Sequence, residues 1–181
     1  MASKAAAAAF EYPEYYSFPP FFTLQPIGDT KRKQLGLWRD LILRYHTALK
    51  IKTLVVHDCE LWRNDEIDRG LERDEIAAVL DDFVNSGHGE WVDKKLKTSL
   101  KVFWKAPSDL AADIYAWAER NGLVGQVCTL YELSAGEDIE GASFEGADED
   151  VIRRALKILE DQGKCAVFKG ETSDEDGVKF F

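Results

Sequence analysis

One amphipathic pattern occurs twice in this chain, 76 residues apart, and it constrains the fold more than any other feature. In the first copy apolar residues stand at Ile76, Val79, Leu80 and Phe83, and Gly87 follows. In the second they stand at Ile152, Ala155, Leu156 and Leu159, and Gly163 follows. Offsets of 0, 3, 4 and 7 line one face of an α-helix, and a glycine four residues further on suits a left-handed C-cap. After each glycine come two short strand-like pieces: Glu90–Asp93 with Leu100–Trp104, and Cys165–Lys169 with Val178–Phe181. Each repeat therefore closes as helix, strand, turn, strand.

Helical patterns also open each repeat. Residues Thr30–Lys50 carry Leu35, Trp38, Leu41, Ile42, Tyr45 and Leu49 at near-helical spacing, with Asp29 as N-cap. Residues Asp109–Asn121 carry Leu110, Ile114 and Trp117, with Ser108 as N-cap and Gly122 at the end. A second helix is expected over about Cys59–Leu71. Its counterpart starts at the Thr129–Glu132 capping box and stops near Gly136. Three helices and a C-terminal hairpin in about 75 residues is the winged-helix arrangement. The expected fold is α+β: an extended arm over 1–28, one winged helix over 29–106 and a second over 107–181. The tract Glu140–Gly146 reads as a loop of the second unit, and Thr172–Gly177 as its acidic hairpin tip.

The net charge of −10 is uneven: −1 over 1–28, +1 over 29–106 and −10 over 107–181. An acidic second unit repels nucleic acid and anionic lipid and favours a basic partner, although acidic surfaces also serve solubility alone. The helices that would enter a DNA groove are themselves acidic. Arg73–Gly87 carries −3 and Asp148–Gly163 carries −2. The first wing, Lys94-Lys95-Leu96-Lys97, is the one nucleic-acid-like feature and reads as a solvated turn.

Catalysis finds no support either. His57-Asp58-Cys59 is a run of neighbours whose side chains do not converge, and no phosphate-loop, dinucleotide, zinc-protease or serine-elbow motif occurs. Cys59, Cys128 and Cys165 are odd in number and far apart, so neither a disulfide framework nor a zinc site is expected. No enzyme activity, cofactor or metal is expected. No apolar run nears the ~18 residues of a membrane span, and the alanine-rich start suits neither a secretory nor a transit signal, so the expected location is the cytosol.

The segment FEYPEYYSFPPFF, residues 10–22, holds seven of the chain's 21 aromatic residues. Pro13, Pro19 and Pro20 oppose an α-helix and favour extended polyproline geometry. For Phe10–Tyr16, wrapping the first unit and filling its core stays open. For Phe18, Pro19, Pro20, Phe21 and Phe22 the expectation is insertion into a pocket on another subunit. The prolines lower the ordering cost there, and one buried Phe contributes roughly 2–3 kcal/mol before binding costs.

The peptides FPPFFTLQP (18–26), TLYELSAGED (129–138) and GVKFF (177–181) resemble the small subunit of the endosomal sorting complex ESCRT-II, the vacuolar protein-sorting-associated protein 25 family. The likeness runs in order from about Phe10 to Phe181. It implies two tandem winged helices in a non-enzymatic scaffold that sorts ubiquitinated membrane cargo into multivesicular bodies. It implies two copies of this chain beside two larger winged-helix subunits in a heterotetramer, peripheral on the endosomal membrane, with Pro19, Pro20, Phe21 and Phe22 matching the docking motif. It further implies that the second unit recruits the initiating ESCRT-III subunit. Val127, Leu130, Glu137, Asp138 and Glu140 are the candidate contacts there, chosen from the apolar and acidic residues of that unit. The competing reading is a nuclear winged-helix regulator acting on nucleic acid or the transcription machinery.

Overall fold

The computed structural model describes residues 10–170 and 176–181. The chain divides into two compact units between Trp104 and Lys105.

The first unit is built on two helices, α1 (Gly28–Ala48) and α2 (Arg73–Asn85). Trp38, Leu41, Ile42 and Tyr45 recur at helical spacing on α1 and are buried, as are Val79, Leu80 and Phe83 on α2. The α1 helix opens at Gly28, so Asp29 lies in its first turn and pairs with Arg32 instead of capping. An acid there still complements the helix dipole. On α2, Glu72 and Glu75 form a reciprocal capping box, and Gly87 ends the helix at φ 81°.

Strands β4 (Gly89–Trp91) and β5 (Ser99–Val102) form the expected hairpin. A third strand, β1 (Thr53–Val55), pairs antiparallel with β5, giving the order β1-β5-β4. Gly89 is required by packing. A Cβ there would stand 2.8 Å from the Lys101 carbonyl oxygen and 2.9 Å from the Phe83 ring.

The helix expected over Cys59–Leu71 is not present. A 3₁₀ turn at Glu60–Trp62 leads into a two-residue hairpin, β2 (Arg63–Asn64) with β3 (Arg69–Gly70). Asn64 explains the switch. Its side-chain oxygen accepts from the Glu66 N–H at 3.0 Å, and its amide donates to the Tyr16 carbonyl at 2.9 Å. The local bond favours a turn over a helix, and the distant one ties that turn to the arm.

The second unit holds all three expected helices: α3 (Pro107–Arg120), α4 (Leu130–Ala135) and α5 (Glu149–Asp161). Pro107 is the first residue of α3, where its fixed φ fits and no N–H is needed, so Ala106 stands in the cap position expected for Ser108. Leu110, Ile114 and Trp117 on α3 and Ile152, Ala155, Leu156 and Leu159 on α5 are buried. The loop after α4 adds Phe144, whose ring meets Trp117 edge-on at 5.5 Å. Thr129 caps α4: its hydroxyl accepts the Glu132 N–H at 3.2 Å, and Glu132 accepts the Thr129 N–H at 2.6 Å. Gly163 ends α5 at φ 71°.

Strands β7 (Cys165–Phe168) and β8 (Gly177–Phe180) pair antiparallel, and β6 (Val127–Thr129) joins as an edge, in the order β6-β8-β7. Of the expected hairpin tip, residues 172–175 lie outside the described residues. At its base Asp176 accepts from Arg153 at 2.6 Å and from the Gly170 N–H at 2.9 Å.

Candidate partner-docking surfaces

The arm is folded, not extended. Two 3₁₀ turns, Glu14–Ser17 and Pro19–Phe22, carry it across the first unit. Pro19 and Pro20 occupy the opening positions of the second turn, where proline is tolerated, and the turn brings Phe21 and Phe22 inward. Phe21 is 4% exposed and Phe22 1%. Phe21 stacks on Trp38 at 4.3 Å, and Phe22 meets the same indole edge-on at 5.6 Å. The expectation that these two rings insert into another subunit is thereby corrected: they lie in their own unit's core. Phe18, 60% exposed, and the exposed Pro19 and Pro20 form the outward ridge.

Polar groups hold this turn in place. The Gln34 carboxamide is buried beneath it and donates toward the carbonyls of Phe21 (2.9 Å), Thr23 (2.9 Å) and Pro20 (3.2 Å). Its oxygen accepts the Gln25 N–H at 3.0 Å. Trp38 Nε1 donates to the Phe21 carbonyl at 3.3 Å, and Glu75 accepts the Leu24 N–H at 2.8 Å. Upstream, the Tyr16 hydroxyl donates to the Arg63 carbonyl at 2.9 Å. Burial, with Asp40 beside it, pushes the Tyr15 phenol up to about 12. Nothing in the motif itself marks Gln34, because the residue it serves lies 13 positions upstream.

In the second unit the five candidate contacts separate. Leu130 is 1% exposed and belongs to the core, which corrects its choice as a surface anchor: the first residue of a capped helix against the sheet faces inward. Val127 is 62% exposed on the edge strand β6. Glu137, Asp138 and Glu140 are exposed on and just after the 3₁₀ turn Glu137–Ile139, beyond the six residues of α4. That helix alone is about 9 Å long.

Val127 has apolar company that the sequence reading missed. A Cβ on Gly177 would lie 3.5 Å from Val127 and 3.9 Å from Phe168, so all three share the outer face of the sheet. Phe168 and Phe181 are exposed, while Val178 and Phe180 point inward. The period-two alternation in GVKFF carried this signal.

The remaining chemistry is quiet. Among the described residues no group of three or more His, Cys, Asp or Glu is placed to hold a metal ion. Burial pushes Cys59 up to about 12 and Cys128 and Cys165 up to about 11, so each is a thiol at neutral pH and a poor nucleophile. In the first wing, Asp93 accepts the N–H groups of Lys95 (2.7 Å) and Leu96 (2.8 Å), and Lys97 pairs with Asp81 at 2.7 Å. No helix among the described residues is long and apolar enough to cross a membrane.

Fold and surfaces together define a tandem winged-helix protein with an aromatic arm built into its first unit. A family model described as "ESCRT-II complex subunit" matches residues 15–148. The chain is 40% identical over 178 residues to vacuolar protein-sorting-associated protein 25 of Homo sapiens, covering 97% of this chain and 99% of that one. It is 39% identical over 174 residues to the Arabidopsis thaliana protein of that name, covering 96% and 97%. The crystal structure of subunit VPS25 of the endosomal trafficking complex ESCRT-II superposes with a TM-score of 0.71 at 29% identity, covering 93% of this chain and 98% of that one. A crystal structure of ESCRT-II containing VPS22, VPS25 and VPS36 also matches, with a TM-score of 0.67 and the same identity and coverage. The chain belongs to the vacuolar protein-sorting-associated protein 25 family of ESCRT-II complex subunits.

Proposed function

We propose that this chain is a non-enzymatic scaffold of an ESCRT-II complex, with two copies joined to two larger winged-helix subunits of the VPS22 and VPS36 kind. It works in the cytoplasm and reaches the endosomal membrane through the complex, where the assembly sorts ubiquitinated cargo into multivesicular bodies. The arm docks each copy onto a larger subunit through the Phe18-Pro19-Pro20 ridge, with Phe21 and Phe22 anchoring that ridge from beneath. The second unit recruits the initiating ESCRT-III subunit. Val127 supplies apolar contact, and Glu137, Asp138 and Glu140 supply charge.

The observation that carries this reading is family likeness over nearly the whole chain, arm included. The acidic groove-facing helices and the Lys97–Asp81 pair give the nuclear, nucleic-acid reading no footing. The test is co-purification of tagged full-length chain with the two larger subunits. Stoichiometric recovery from wild type and loss with Phe18→Ala, Pro19→Ala and Pro20→Ala combined support the docking role. Undiminished recovery with the triple variant removes it.

A further inference from the structure

We propose that Gln34 is a positioning residue for docking: its buried carboxamide locks the Pro19–Thr23 backbone so that a partner meets a pre-formed ridge. This rests on the docking role of the arm given above.

One side chain on α1 bonds to four backbone groups of a single short segment, the carbonyls of Pro20, Phe21 and Thr23 and the N–H of Gln25. An amide nitrogen has two protons, so its three acceptors share them, and the two at 2.9 Å, Phe21 and Thr23, take the better bonds. No other residue type of this size both donates twice and accepts at one buried point. Leucine would take away the two bonds at 2.9 Å and the acceptor of the Gln25 N–H. The carbonyls of Phe21, Thr23 and Pro20 would keep only their longer bonds, from Trp38 Nε1 (3.3 Å), Gln25 Nε2 (3.1 Å) and the Thr23 N–H (3.3 Å). Glutamate would set a carboxylate against them.

The turn has its own backbone bonds, from the Phe21 N–H to the Phe18 carbonyl at 2.9 Å and from the Thr23 N–H to the Pro20 carbonyl at 3.3 Å. The two Gln34 bonds at 2.9 Å are what tie that turn to α1 in one position. The ridge residues Phe18, Pro19 and Pro20 are exposed and have no core to hold them. Within the arm, the Phe18 N–H donates to the Tyr15 carbonyl at 3.2 Å and its carbonyl accepts the Phe21 N–H at 2.9 Å. The attachment of this turn to the unit comes from below, at the carbonyls that Gln34 and Trp38 grip. A partner binding a pre-set ridge is spared the cost of ordering it, and removal of the clamp returns that cost to the binding step.

The experiment compares full-length wild type, Gln34→Leu and Val102→Ala in binding the larger ESCRT-II subunits, at a temperature where circular dichroism shows all three folded. Val102 is a core residue of β5 and controls for general loss of stability. Backbone hydrogen exchange is read in the free and bound states. The expected result for Gln34→Leu is faster exchange at residues 21–25 in the free chain, protection regained on binding, and affinity lowered roughly five- to tenfold. Val102→Ala is expected to bind as wild type does. Unchanged exchange or unchanged affinity in Gln34→Leu overturns the proposal, as does an equal loss of affinity in Val102→Ala. Failure of wild type itself to bind removes the docking role instead.

Discussion

Phe21 and Trp38 lie face to face, ring centroids 4.3 Å apart and planes within 14° of parallel, so the arm and helix α1 share one core. The same indole receives Phe22 edge-on, and its Nε1–H is spent on the Phe21 carbonyl. Such pairs add about 0.5–1.5 kcal/mol beyond the area they bury.

Truncation of the inner and outer rings of the arm should therefore have opposite signatures. Phe22→Ala is expected to cost about 3–5 kcal/mol of stability in urea unfolding, because it opens a cavity against Trp38. Phe18→Ala should stay within about 0.5 kcal/mol of wild type and act on partner binding alone. Equal stability of the two variants would mean that the rings do not divide between core and surface.

Gly89→Ala should destabilise the first unit by about 1–3 kcal/mol, the range for overpacking. The added methyl meets the Lys101 carbonyl and the Phe83 ring, and the carbonyl cannot move without disturbing the β4–β5 pairing. Thermal melts of the two chains check this, and an unchanged midpoint would contradict the packing.

The second unit should lose stability in acid through Asp176. Its hydrogen bond from Arg153, and then the Gly170 N–H, hold the carboxyl below its ordinary value of 3.8. A carboxyl depressed in the folded state contributes stability that is full above the unfolded value and fades as pH falls through the folded one. Urea midpoints measured between neutral pH and about pH 2 should fall more steeply in wild type than in Asp176→Asn, which has no carboxyl to titrate. Parallel curves would remove this linkage.

The elements legible from sequence are those whose signal is local. The stripe at Ile152, Ala155, Leu156 and Leu159, the Gly163 cap and the Thr129–Glu132 box each lie within one or a few helical turns, and all three stand as read. What escaped depends on distant partners. In the Cys59–Leu71 segment the local Asn64–Glu66 bond favours a turn, and the bond from Asn64 to Tyr16, 48 residues away, fixes that turn against the arm. The phenylalanines of the arm turn inward because Trp38 and Gln34 wait on α1. Strands β1 and β6 are three residues each, too short to show alternation, and exist through pairing with β5 and β8. In the second unit, exposure of Val127 and burial of Leu130 follow from where the strand stops and the helix starts, a boundary composition does not reveal.

The proposed recruitment of the initiating ESCRT-III subunit by the second unit should separate into an apolar and an electrostatic part. Val127 stands beside Phe168 across the side-chain-free notch of Gly177, a patch able to seat the apolar face of a helix. Replacing Val127 by Asp should mainly speed dissociation of the initiating ESCRT-III subunit from the full-length chain, since it places a charge where desolvated contact is needed. Glu137 and Asp138 are exposed and project from a turn, so their effect is expected on encounter. Changing both to Lys should slow association severalfold with little change in dissociation, and the difference should shrink as salt shortens the screening length to about 8–10 Å and below. Stopped-flow rates at low and physiological salt distinguish the two parts. An association rate indifferent to salt and to charge reversal would leave the apolar patch as the whole of the site, and a Val127→Asp chain that dissociates as slowly as wild type would place that site elsewhere on the unit.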